Sequence, residues 1–253
     1  MDLGLTDRAF VVTAASGGLG RATAAQLVAE GARVVLVARR ADVLDEAVTE
    51  LGPDRAVALP ADLADPATAE AACRLCLDTF GRLDGAMLSV GGPPAGTVTS
   101  TTEEQWLDAF SSVFLAGLRV FRAVQQHGTA SDLAVAWVLS TSVKSPIPGL
   151  AASNGLRPGL GMLIKQLADE HGPDGTRVVG LMPGRVETER TRHLDSLAAD
   201  PAASRAASEA AIPLRRYGQP EEFARVAAFV LSPAASYLTG CVIPVEGGSL
   251  RSL

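Results

Sequence analysis

The chain reads as an α/β protein, a doubly wound parallel sheet of seven strands with helices on both faces. Three observations carry that reading. Apolar, β-branched runs alternate along the whole chain with helical segments of about ten residues or more. The polar and glycine-rich stretches fall where those runs end, the place at which such sheets hold their ligands. No repeat or long linker divides the 253 residues, and a 47% hydrophobic composition is enough to bury one large core. Residues 1–253 are therefore expected to form one domain.

The first strand is the run Phe10, Val11, Val12, followed by a glycine-rich turn and an alanine-rich helix closed by Gly31. A second strand spans Arg33 to Ala38. Strand, tight turn, helix and strand in this order form the first unit of a dinucleotide-binding fold. Gly18 and Gly20 lack the Cβ that would hold a pyrophosphate off the backbone, and the helix N-terminus behind them offers free N–H groups. Next come a short helix (Asp42 to Leu51), a strand (Ala56 to Leu59) running into Asp62, and a helix (Pro66 to Phe80) closed by Gly81. The strand Gly85 to Leu88 opens into Ser89-Val90-Gly91-Gly92-Pro93-Pro94, and one long helix follows over Glu103 to His127. The strand Ala134 to Leu139 feeds Ser140-Thr141-Ser142-Val143-Lys144 and a helix from Ser153 to His171. The strand Arg177 to Met182 stops at Pro183-Gly184, and a loose Ala- and Ser-rich segment, Thr188 to Ala211, is broken by Pro201. The helix Pro220 to Leu231 and the strand Val242 to Val245 complete the sheet.

Composition excludes several classes. A net charge of −6 with no basic run argues against nucleic acid and anionic membranes as partners. No apolar run reaches the length of a membrane span, and the acidic start MDLGLTDR has no signal-peptide pattern, so the expected compartment is the cytoplasm. Cys73 and Cys76 lie within one helical stretch without a second ligand pair and read as buried helix positions, so no metal is expected. At the end of the second strand stands Arg39-Arg40 in place of a carboxylate. A guanidinium fork suits a ribose 2′-phosphate, so NADP(H) is the expected cofactor, with NAD(H) second.

The segments TAASGGLG (13–20), Asp62, Pro183-Gly184 with Thr188, and PLRRYGQPEEFARVAAFVLSPAASYLTGCVIPVEGG resemble the short-chain dehydrogenase/reductase family over essentially the whole chain. The chain is similar to its 3-oxoacyl-carrier-protein reductases and related ketoreductases. The resemblance implies a Rossmann-type oxidoreductase and a homotetramer built on the long helices. It also implies a small-molecule carbonyl or alcohol substrate, acyl or polyketide-like, covered by a flexible lid around 188–211. It assigns the cofactor to Thr13, Ala15, Ser16, Gly18, Leu19, Gly20, Arg39, Arg40, Asp62, Leu63, Gly91, Pro183, Gly184, Val186 and Thr188. Asp62 would meet the adenine, and Pro183, Gly184, Val186 and Thr188 the nicotinamide.

The departures fall on the chemistry. The family's first glycine is Ala14, its helix asparagine falls on Val113, and its Tyr-x-x-x-Lys aligns with Ser153-Asn154-Gly155-Leu156-Arg157. Only the serine has a clear match, Ser142, and its spacing to Ser153 is shorter than the family's. An aliphatic hydroxyl is a far weaker acid than a phenol, and a guanidinium keeps its proton. Lys144, one of two lysines in the chain, is the candidate replacement acid beside Ser142 and Arg157. His193 is a further candidate, while Arg185, Arg190 and Arg192 are expected to pair with neighbouring acids. Three functions remain open: a nicotinamide oxidoreductase, a redox-silent enzyme acting by oxyanion stabilisation, and a cofactor-binding protein without chemistry.

Overall fold

A computed structural model describes residues 2–252. The elements are β1 (Ala9–Thr13), α1 (Gly18–Ala29), β2 (Arg33–Ala38), α2 (Ala41–Leu51), β3 (Ala56–Pro60), α3 (Ala67–Phe80), β4 (Gly85–Leu88), α4 (Glu103–Ala109), α5 (Ala116–His127), β5 (Ala134–Val138), α6 (Ala151–His171), β6 (Arg177–Pro183), α7 (Glu189–Ser196), α8 (Pro201–Ala211), α9 (Pro220–Leu231) and β7 (Cys241–Val245). All seven strands are parallel, in the order β3-β2-β1-β4-β5-β6-β7. Strand order reverses between β1 and β4, and that opens a crevice at their carboxyl ends.

Each strand is apolar on both sides because each side is covered. One core layer joins Phe10, Val12, Val34 and Leu36 to Leu27 of α1 and Phe223 and Ala227 of α9. The other joins Val11, Val35, Val135 and Trp137 to Cys73 and Cys76 of α3, Phe121 of α5, and Leu160 and Ile164 of α6. Burial pushes both thiols up to about 12, so they behave as small apolar side chains.

Two expectations need correction. The long helix over Glu103 to His127 is interrupted by a π-helical turn, Phe110–Leu115. The Thr102–Gln105 capping box starts α4, and the wider turn sets Val113 into the core while Phe110 and Phe114 stack with centroids 5.1 Å apart. The Thr188–Ala211 segment is folded into α7 and α8. The Thr188 and Asp200 side chains cap these helices by accepting from Thr191 N and Ala203 N, and Pro201 sits in the first turn of α8, where it costs no hydrogen bond.

Candidate active site

The turn between β1 and α1 forms one end of the site. Ala14 holds φ +50° and Gly18 holds φ +53°, both left-handed. A Cβ on Gly20 would lie 2.5 Å from the Ala14 carbonyl oxygen, so only glycine lets α1 approach β1 this closely. The α1 N-terminus has no side-chain cap and no acidic residue in its first turn. Its N–H groups face the crevice. That is the donor set an anionic pyrophosphate requires. Thr188 passes over Gly18, where an added Cβ would meet its side chain at 3.5 Å.

The two arginines after β2 separate. Arg40 folds back over the turn, its Nη2 3.4 Å from Ser16 Oγ, and it lines the crevice. Arg39 is exposed and lies outside the lining. Of the other assigned cofactor residues, Ser16, Gly18, Leu19, Gly20, Gly91, Pro183, Gly184, Val186 and Thr188 line the crevice, joined by Gly17 and Ala14. Thr13, Ala15, Asp62 and Leu63 do not. Thr13 Oγ1 instead ties β1 to β4 by donating to the Ser89 carbonyl and accepting from Ser89 N, and Ala15 N donates to the Val37 carbonyl. Asp62 Oδ1 accepts from Ala64 N in an Asx turn, and Leu63 packs on the core.

The other end of the crevice is built by β5 and α6. Ser140 Oγ accepts from Ser142 N, opening a single 3₁₀ turn, Thr141–Val143, that directs Ser142 inward. Asn154 bonds both the N–H and the carbonyl of Ile147, cinching the short loop between Ser142 and α6. Ser142 Oγ and Ser153 Oγ then meet at 3.1 Å, both buried. Arg157 follows Ser153 by one helical turn and shares its face. Its Nη1 donates to the carbonyls of Val138 (2.8 Å) and Leu139 (3.1 Å) at the end of β5. Burial, with a smaller effect from Arg190, lowers this guanidinium to about 10, which leaves it a cation at neutral pH. Ser153 and Arg157 line the crevice, whereas Ser142 stands behind Ser153.

Neither tyrosine lines the crevice. Tyr217 is buried, its hydroxyl donating to Asp195, and Tyr237 is fully exposed. Lys144 is exposed just past the 3₁₀ turn, and neither it nor the exposed His193 is among the lining residues. Arg185 and Arg192 do pair locally, with Asp195 and Glu187. Arg190 does not. It enters the crevice from α7 and its Nη2 donates to the Pro93 carbonyl at 2.6 Å. Spacing could not show this, because Glu187 and Glu189 stand beside Arg190 in sequence but pair with Arg192, Arg205 and Arg40.

The crevice is continuous, with a volume of about 770 Å³, and runs from the α1 N-terminus to Arg157. A doubly wound sheet with an uncapped helix N-terminus at its switch point defines a dinucleotide-binding protein. The family model described as enoyl-(acyl carrier protein) reductase matches residues 13–249. The chain belongs to the short-chain dehydrogenase/reductase family. It is 32% identical to levodione reductase of Leifsonia aquatica over 96% of this chain and 94% of the relative. L-sorbose reductase from Gluconobacter frateurii, complexed with NADPH and L-sorbose, superposes with a TM-score of 0.92 at 28% identity over 100% of both chains. The NADPH-bound short chain oxidoreductase from Pseudomonas aeruginosa PAO1, described as containing an atypical catalytic center, superposes with a TM-score of 0.90 at 31% identity over 99% of both.

Proposed function

We propose that this chain is an NADP(H)-dependent, ketoreductase-like oxidoreductase of a carbonyl or alcohol substrate, working with an altered catalytic set. The observation that carries the proposal is the single crevice with phosphate donors at one end and the Ser153–Ser142 pair beside Arg157 at the other. Bound NADPH supplies a hydride to the carbonyl carbon. The α1 N-terminus and Arg40 hold its phosphates, and Pro183, Gly184, Val186 and Thr188 flank its nicotinamide. As charge develops on the substrate oxygen, Arg157 stabilises it and Ser153 gives up its hydroxyl proton. The Ser142 hydroxyl, 3.1 Å away, hydrogen-bonds the Ser153 oxygen as it loses that proton, and solvent in the crevice, which Ser153 lines, returns a proton to it. The α7–α8 segment closes over an acyl or polyketide-like substrate, and residues 1–253 act as one unit. The exposed Leu107, Phe110 and Met162 on α4, the π turn and α6 support assembly into a homotetramer, checked by light scattering at micromolar concentration.

The test uses NADPH deuterated at nicotinamide C4 and a panel of ketones. Label in the product alcohol is the expected result. That no tyrosine lines the crevice among the described residues favours a second reading, a redox-silent elimination or cyclisation by oxyanion stabilisation. Product formed with no label and no oxidised cofactor would establish it in place of the first.

A further inference from the structure

Four arginines lie between Pro183 and the end of α8, and three of them are neutralised. Arg185 pairs with Asp195 at 2.8 Å, Arg192 with Glu187 at 3.8 Å, and Arg205 with Glu187 at 2.7 Å and Glu209 at 2.9 Å. Arg190 has no carboxylate partner among the described residues. Its one hydrogen bond there is to the neutral Pro93 carbonyl. The loop after β4 makes room for it: a Cβ on Gly92 would sit 2.8 Å from Arg190 Nε.

The second cation at this end is Arg157, buried and held by two strand-end carbonyls that carry no net charge. Burial lowers the pKa of both guanidiniums, and the nearby charge of Arg190 lowers that of Arg157 further. Among the described residues, the one acidic residue lining the crevice is Glu189, which stands 3.9 Å from Arg40, at the Gly-turn end. Two partly desolvated cations facing one crevice without a counter-charge form an anion site. The α1 N-terminus and Arg40 already serve the phosphates at the other end, so the anion belongs to the substrate.

We propose that Arg190, backed by Arg157, binds a carboxylate on the substrate, so that the enzyme acts on an oxo acid or its hydroxy-acid counterpart. This rests on the oxidoreductase reading and narrows its substrate class to the free acid rather than its ester or thioester. The Pro93 bond holds the Arg190 fork across the mouth of the crevice, and the carboxylate takes the N–H groups that this bond leaves over.

Calorimetric titration of the protein–NADP⁺ complex with short 2-oxo and 4-oxo acids, and with their methyl esters, tests the site without requiring turnover. The acids are expected to bind at least about tenfold more tightly than the esters. Arg190→Gln should remove that preference while leaving ester and NADP⁺ affinities within about threefold, and Arg190→Lys should restore part of it. Acids binding no better than esters, no acid binding, or a preference that survives Arg190→Gln would overturn the proposal. So would a selective loss of NADP⁺ affinity, which would assign Arg190 to the cofactor phosphates. An acid that binds through Arg190 but never accepts label from deuterated NADPH would sink the oxidoreductase reading and leave the carboxylate site standing.

Discussion

The two ends of the crevice are built from different parts of the chain. At the α1 end the recognising groups are backbone N–H donors, made available by the left-handed φ of Ala14 and Gly18 and by the close approach at Gly20. At the α6 end they are side chains: the hydroxyls of Ser142 and Ser153 and the guanidinium of Arg157. Backbone recognition depends on conformation, which several residues can adopt. Side-chain recognition depends on identity, and a substitution there changes the chemistry itself.

The largest expected effect sharpens the second half of that comparison. Ser142 and Ser153 are 3.1 Å apart, and if they act as one proton-donating pair, as proposed, either Ser→Ala change should lower kcat about a hundredfold, and the double variant hardly more. NADPH affinity should hold within about threefold, because neither hydroxyl lies at the phosphate end. Lys144→Arg, at an exposed position outside the crevice lining, should cost less than about threefold. A hundredfold loss for Lys144→Arg in single-turnover kinetics would make the lysine the acid after all.

What could be read from the sequence follows the same division. The sheet, its seven strands and the Gly-rich turn were legible because hydrophobic period and glycine placement are local signals. Strand bounds such as Arg33–Ala38 and Gly85–Leu88 agree with the structure to the residue. The π turn was not legible, since Phe110–Leu115 carries the same apolar spacing as an ordinary helical turn. The α7–α8 segment read as loose because its alanines and serines hide two helices behind caps at Thr188 and Asp200. The partner of Arg190 was misjudged for a third reason. A charged side chain takes whichever partner the tertiary fold presents, here the carbonyl of Pro93 rather than the acids beside it in sequence.

The next effect tests whether the phosphate end has one side-chain component. Arg40, not Arg39, reaches the Gly-rich turn. Arg40→Asp should therefore weaken NADPH binding by about tenfold or more and erase its advantage over NADH, while Arg39→Asp should do less than half as much on a logarithmic scale. Calorimetry with both cofactors on both variants decides it. Equal losses would mean that the two arginines share the 2′-phosphate, and an unchanged Arg40→Asp preference would remove the arginines from cofactor choice.

The smallest effect separates conformation from identity at the phosphate end. Ala14 sits at φ +50°, where an L-residue costs roughly 1–2 kcal/mol relative to glycine. Glycine there would relieve the strain but lose about 0.5–1 kcal/mol through the greater freedom of the unfolded chain. The two terms nearly cancel. Ala14→Gly is expected to stabilise the fold by about 0.5 kcal/mol in urea denaturation, and to leave NADPH affinity within about twofold, since the N–H groups of α1 stay where they are. If the variant were destabilised instead, the Ala14 methyl group would be contributing contacts of its own. A stable variant with tenfold weaker binding would carry the opposite lesson, that identity matters at this end too and that the contrast between the two ends is one of degree.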